Sequence, residues 1–213
     1  MNDALRVALS IAEVGLAQPS DPLPSSSHPF AIMSPCTIRH ARREDVPTIL
    51  ELIKELADYE KELSAVQATE ETLANTIAFA PSDSNLSAPG GADSTTPARP
   101  ARCLLAFDES NTPVGMALYF YSYSTWRARH GIWLEDLYVR QTERGKGYGK
   151  KLLSALAREV VETGGGRLEW CVLKWNEPSI QFYRSIGAQS MDEWVTMRVD
   201  GDTLPRLAGL GAQ

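Results

Sequence analysis

The sequence is poor in the residues that build metal sites and disulfide scaffolds. Its three cysteines, Cys36, Cys103 and Cys171, stand far apart without a C-x-x-C pair. Read without a secretory signal, they are expected to be free thiols of a reducing, cytoplasmic compartment. The three histidines, His28, His40 and His130, are isolated, so no zinc spacing arises and no metal is expected. No apolar run approaches the roughly 18 residues that span a bilayer, which excludes a membrane protein as an expectation. A basic surplus is missing too: 21 Lys and Arg face 27 Asp and Glu, a formal net charge of −6. That argues against a nucleic-acid binder and favours cationic partners. What remains, 213 residues with 43% apolar and 23% charged side chains, suits one globular domain with spare length at roughly 150 residues per domain.

The spare length falls in two places. Residues 1–35 carry Pro19, Pro22, Pro24, Pro29 and Pro35 with serines between them. Such a stretch buries too little apolar surface to offset its ordering entropy and is expected to be a disordered N-terminal arm. With only Arg6 as a positive charge, residues 4–17 make a poor transit peptide. Met33, just before the structured part, is a candidate second start of translation. A second soft stretch, 81–100, contains Ala88-Pro-Gly-Gly91 and Ser94-Thr-Thr-Pro97 and reads as a flexible surface insertion. The domain is expected over 36–200, with 201–213 as a C-terminal tail.

Periodicity supplies the elements. Thr37–His40 reads as a strand. Asp45 then caps a helix with Ile49, Leu50, Ile53, Leu56 and Ala57 on one face. Thr69 with Glu70 and Glu71 opens a second helix. Residues 102–107 and 114–121 are apolar runs joined by a turn, and 132–139 is a fourth strand. Leu152, Leu153, Leu156, Ala157, Val160 and Val161 stripe a long helix that Gly164-Gly165-Gly166 stops. Residues 168–173 form a fifth strand. Asn176 caps a short helix with Pro178 in its first turn, and Trp194–Val199 closes as a sixth strand. The order β-α-α-β-β-β-α-β-α-β describes an α/β fold with a mixed sheet.

Between the fourth strand and the long helix lies Arg144-Gly145-Lys146-Gly147-Tyr148-Gly149-Lys150. Successive amides of such a turn, joined to a helix N-terminus, make a cavity for anionic oxygens. Glycine lets a diphosphate approach the backbone, and Arg144, Lys146 and Lys150 add positive charge. The dinucleotide fingerprint G-x-G-x-x-G fails because the third glycine comes one residue early. The G-x-x-x-x-G-K-[ST] loop fails on spacing and on the missing hydroxyl. A helix-capping turn with solvated lysines is the alternative.

The Arg144-x-x-Gly147-x-Gly149 loop resembles the acetyl-CoA diphosphate loop of the GNAT acetyltransferase superfamily. The chain is similar in particular to diamine (spermidine/spermine) and thialysine acetyltransferases. Leu52–Glu60, Leu134–Val139 and Trp175–Tyr183 support this, and the resemblance covers about 36–200 apart from the insertion. It implies the GNAT fold: a mixed central sheet with flanking helices and a splay between the fourth and fifth strands. It also implies acetyl-CoA as co-substrate and a homodimer. Leu137, Tyr138 and Val139 would offer backbone to the pantetheine arm, Arg144 through Lys150 would hold the diphosphate, and Asn176, Glu177, Pro178 and Ser179 would touch the cofactor again. Tyr183 matches the tyrosine that protonates the departing thiolate, and Glu135 the carboxylate that faces the amine. Tyr59, Glu60, Glu169, Trp170 and Cys171 match segments lining the substrate channel. Trp126 matches a substrate-side tryptophan, with Ser124 where an acidic residue is usual. Asp192 or Glu193 stands in for an acidic group in a shortened stretch after Gly187.

Chemistry and simpler readings stand side by side. Acetyl transfer needs a neutral amine, and a carboxylate at the entry can accept its proton and attract the cation. Glu135, between apolar Leu134 and Leu137 on Asp136's far side, is expected to be partly buried; its simpler role is to pair with an arginine such as Arg140. Tyr183 is a proton donor or a core aromatic. Trp126 with Tyr119, Tyr121 and Tyr123 forms a cation-binding approach or one face of a sheet. The carboxylates of Glu51–Glu62 read mainly as a solvated face. No Ser or Cys stands in a nucleophile setting, which favours direct attack in a ternary complex. The expected activity is acetylation of a polyamine or diamine. Thialysine or another small amine remains open, as do a non-catalytic acyl-CoA-binding domain and an interaction protein docking through 81–100.

Overall fold

A computed structural model describes residues 36–81 and 94–210. The expected arm, Met33 and residues 82–93 of the expected insertion lie outside the described residues. In chain order the elements are β1 (Thr37–His40), α1 (Val46–Tyr59), α2 (Glu70–Thr76), β2 (Arg102–Phe107), β3 (Pro113–Ser124), β4 (Arg129–Val139), α3 (Tyr148–Glu162), β5 (Leu168–Trp170), α4 (Glu177–Ser185) and α5 (Thr203–Gly209). The five strands form one mixed sheet in the order β1-β2-β3-β4-β5. All pairs are antiparallel except β4 with β5, which run parallel. No helix among the described residues is long and apolar enough to cross a membrane.

Each face of the sheet is covered by a stripe of one helix period. Val46, Ile49, Leu50 and Leu52 of α1 pack with Leu73 of α2 on Leu105, Met116 and Tyr138. Leu152, Leu153, Leu156 and Val160 of α3 pack on Leu104, Ala117, Tyr119, Ile132 and Leu134. The start and stop residues act locally. Thr69 accepts the amide of Thr72 at 3.2 Å, and Asn176 accepts that of Ser179 at 3.4 Å. Gly164 (φ 74°) turns the chain after α3, so that the amide of Gly165 reaches Val160 O at 2.7 Å. Asp45 does precede α1, but its carboxylate grips Arg39 at 2.6 and 3.0 Å and the amide of Arg42 instead of capping the helix.

Four expectations are corrected. Ala157 and Val161 leave the α3 stripe, Val161 being 77% exposed, and Glu159 is buried in their place. It accepts the hydroxyls of Tyr119 at 2.7 Å and of Tyr121, which satisfy a carboxylate inside the core. Strand β5 stops at Trp170 instead of residue 173, and Val172 and Leu173 are exposed. The sixth strand over 194–199 is absent: its residues make no ladder with β5, and Trp194 donates only to Met191 O. A three-residue β5 offers too short an edge to fix a six-residue partner. Finally, residues 94–100 are not structureless, since Thr96 and Arg99 exchange two backbone hydrogen bonds.

Candidate active site

Strand β4 carries one surplus residue. Leu118 faces Asp136 while Tyr119 faces Leu134, so Glu135 is a bulge without a partner on β3. A bulge reverses the alternation of every residue beyond it. Ahead of the bulge Ile132 and Leu134 pack toward α3; beyond it Leu137 and Val139 do. Asp136 and Tyr138 therefore share the α1 face with Leu118 and Met116, their cross-strand partners.

Beyond the bulge β4 has also lost its other neighbour. The parallel ladder joins only Ile132–Leu134 to Leu168–Trp170, and the two strands then part. Which backbone groups face the gap follows from their partners. Arg140 N bonds Val114 O on β3 at 2.9 Å, and a Cβ added at Gly115 would lie 2.6 Å from Tyr138 O. Residues 138 and 140 thus face β3, and 137 and 139 face the gap. Leu137 and Val139 suit an extended ligand; Tyr138 is turned away from it, against the expectation that all three offer backbone.

At the head of the gap the chain makes a one-turn 3-10 helix (Gln141–Glu143) and enters the glycine loop. Gly145 and Gly147 have φ of 81° and 86°, and nothing lies within 4 Å of a Cβ built on either. Left-handed backbone at alternate positions aims successive amides to one side. Gly147 caps α3 with no side chain, leaving the first-turn amides of Tyr148, Gly149 and Lys150 without an intrahelical acceptor. This open cradle of donors at a helix N-terminus fits a diphosphate. Lys146 pairs with Glu143 at 2.8 Å, and the Tyr148 ring is core.

On the α1 side the gap is bordered by acid. Asp136 is held up at about 6 by burial and then by the charges of Glu135 and Glu60. Burial also raises Glu60. Tyr183 on α4 is pushed up to about 12, by burial first and Glu60 second. Its ring packs on Trp170 at 4.9 Å and on Phe182 at 5.4 Å between centroids. Tyr59, at the end of α1, donates to Asn176 Oδ1 at 3.3 Å, which ties the entrance of α4 to α1. An electron-poor cradle thus lies at one end of a gap, with carboxylates and a protonated phenol along it. Such a site can hold an anionic carrier and receive a cation.

Residues 70–188 match the acetyltransferase (GNAT) family. The chain belongs to that family. GNAT acetyltransferases use acetyl-CoA as co-substrate, and this GNAT chain is 37% identical over 178 residues to thialysine N-epsilon-acetyltransferase of Bos taurus, covering 81% of this chain and 96% of that one. It is 34% identical to L-ornithine N5-acetyltransferase of Arabidopsis thaliana, with 78% and 85% covered. It is also 32% identical to human spermidine/spermine N(1)-acetyltransferase-like protein 1, over 80% of this chain and 23% of that protein. Among solved structures, an integron cassette protein from V. cholerae matches with a TM-score of 0.62 at 24% identity, over 81% of this chain and 97% of the other. That likeness shows the fold.

The GNAT frame brings together Tyr59, Glu60, Trp170, Asn176 and Tyr183, and leaves other expected residues apart. Glu135 is exposed instead of partly buried, because it is the bulge; it accepts Trp133 Nε1 at 3.0 Å. Arg140 is not its partner and reaches Glu51 and Glu55 at 2.9 and 3.1 Å. Trp126 is 91% exposed at the β3–β4 turn. Glu169 pairs with Arg167 at 2.6 Å, Cys171 is exposed, and Asp192 bonds only Ser190. Glu177, Pro178 and Ser179 form the first turn of α4. Asp136 was missed. Its one legible signal was an acidic residue inside an apolar strand, Leu134-Glu-Asp-Leu137.

Proposed function

We propose that this acetyltransferase moves the acetyl group of acetyl-CoA onto a primary amine of a small cationic substrate, a polyamine or diamine such as spermidine or spermine, by direct attack in a ternary complex. The observation that carries the reading is Asp136: a half-buried carboxylate on the α1 face of the sheet, raised to about 6 by burial and by the charges of Glu135 and Glu60. A group with that value is ionised at neutral pH yet takes a proton more readily than an ordinary Asp. Acetyl-CoA would supply an electrophilic thioester carbon, held with its diphosphate on the amides of 145–150. Glu135 and Glu60 draw the ammonium in. Asp136 accepts its proton at a carboxylate oxygen, directly or through water, and frees the lone pair. The nitrogen bonds to the acetyl carbon as the C–S bond breaks. Tyr183, still protonated at any working pH, gives its hydroxyl proton to the departing sulfur. The surplus proton on the acylated nitrogen passes through water to the Tyr183 phenolate.

Thialysine or an ornithine-like amine is the second reading, favoured by the names of the relatives. The two differ at the far end of the substrate, where a polyamine carries a cation and an amino acid a carboxylate that the acidic border repels. Release of coenzyme A thiol with spermidine, spermine, putrescine, thialysine, ornithine and lysine decides between them. Turnover of thialysine far above spermidine makes the second reading correct, and no release with any amine removes both.

The reading extends to a cytoplasmic homodimer. Cys36, Cys103 and Cys171 are all unpaired, as suits a reducing compartment. Met191, Trp194, Val195 and Met197 expose 66–86% of their surface, an apolar stretch that suits a second copy.

A further inference from the structure

One side chain lies across the gap just described. Arg144 leaves the 3-10 turn and donates from Nε to Val139 O at 3.1 Å. That carbonyl faces the gap, because its neighbours on either side face β3. The guanidinium lies 4.5 Å from the centre of the Tyr59 ring and 5.8 Å from that of Tyr138. Tyr59 is in turn bonded to Asn176 and packs 6.0 Å from Trp175. Arg144 therefore joins the end of β4 to the end of α1, and through Tyr59 to the entrance of α4. It also opens the anion cradle, one residue before Gly145.

We propose that Arg144 is a positioning residue with two seats, the one seen here barring the gap and a second on the diphosphate. The inference rests on the reading above. Arg144 Nε lies on the gap side of Val139 O, where an extended arm pairing with that carbonyl would place its own donor, so the two compete for the same side of the oxygen. Two aromatic faces and one neutral carbonyl hold a guanidinium less firmly than a diphosphate does, since the latter offers charge-assisted, bidentate bonds. A diphosphate settling on the amides of 145–150 draws Arg144 upward. That frees the carbonyl for the arm and unloads the Tyr59 ring, which precedes Glu60 at the amine border. Occupancy of the carrier site is thereby coupled to the shape of the amine site.

The test separates the arm from the diphosphate. Calorimetry of the full chain against coenzyme A, and against pantetheine as a ligand with the arm and no diphosphate, compares wild type with Arg144→Ala. The two affinities should move in opposite directions: coenzyme A weakened about 10-fold and pantetheine strengthened about 3-fold or more. Arg144→Lys keeps the charge but loses the planar fork and its stacking. It should retain most of the coenzyme A affinity and still bind pantetheine better than wild type. Both affinities falling together, or pantetheine unchanged in both variants, overturns the two-seat proposal while leaving the acetyltransferase reading intact. Failure of the wild type to bind coenzyme A overturns that reading and this inference with it.

Discussion

At Asp136, burial and the charges of Glu135 and Glu60 all favour the protonated form. For a carboxylate raised in the folded state, stability is fully present below the ordinary value near 3.8 and is lost as pH rises through about 6. Asp136→Asn should therefore raise the melting temperature at pH 8 by a few degrees, a gain on the order of 2 kcal/mol, and leave it unchanged at pH 3.5. The same variant should lose at least about 100-fold in kcat/KM, together with the acid limb of the pH profile near 6. A second residue-level test concerns Tyr183, whose ring stays packed on Trp170 without its hydroxyl. Tyr183→Phe should lower kcat about 100-fold and move the acetyl-CoA KM less than about 3-fold. Tyr183 was singled out by its motif. Asp136 was not, because a one-residue bulge depends on which β3 residue each β4 residue meets, and neither strand encodes that alone.

The elements themselves were legible where a single period governs them. The α1 stripe, the Thr69 and Asn176 caps and the strand at 102–107 each follow from local spacing. Helix α3 shows where that logic ends. A charged residue at position 159 contradicts a buried face until two tyrosines from the neighbouring strand supply its donors. Glu159→Ala should leave both hydroxyls inside the core without their acceptor. That would cost about 2–3 kcal/mol and lower Tm by roughly 5–10 °C in a thermal melt. Catalysis lies elsewhere, so kcat should stay within about 2-fold. The loop before α3 responds in the reverse manner. At Gly147 the backbone has φ 86° with space around it, so strain and not crowding resists a side chain. Gly147→Ala should weaken coenzyme A about 10-fold by calorimetry, roughly the 1–2 kcal/mol of a left-handed non-glycine residue.

At the scale of the described residues, the mixed sheet with flanking helices agrees with the reading of the sequence, whereas the C-terminal end does not. The pattern Val195-Thr-Met-Arg-Val199 alternates as a strand should, yet pairing also needs an edge of matching length, and β5 ends after three residues. If a second copy covers this surface, removing residues 189–213 should convert a dimer to a monomer in light scattering. An unchanged mass would assign the exposed side chains another role.

The brevity of the parallel ladder has a further consequence. Beyond Leu134 the amides of 137 and 139 point into the gap, while that of Arg140 is locked to Val114. Deuterium should therefore enter this strand at every second residue, a stippled labelling pattern unlike the even protection of a paired interior strand. Those two nitrogens make a built-in gauge of occupancy, since anything that lies along them as a surrogate strand must slow their labelling first.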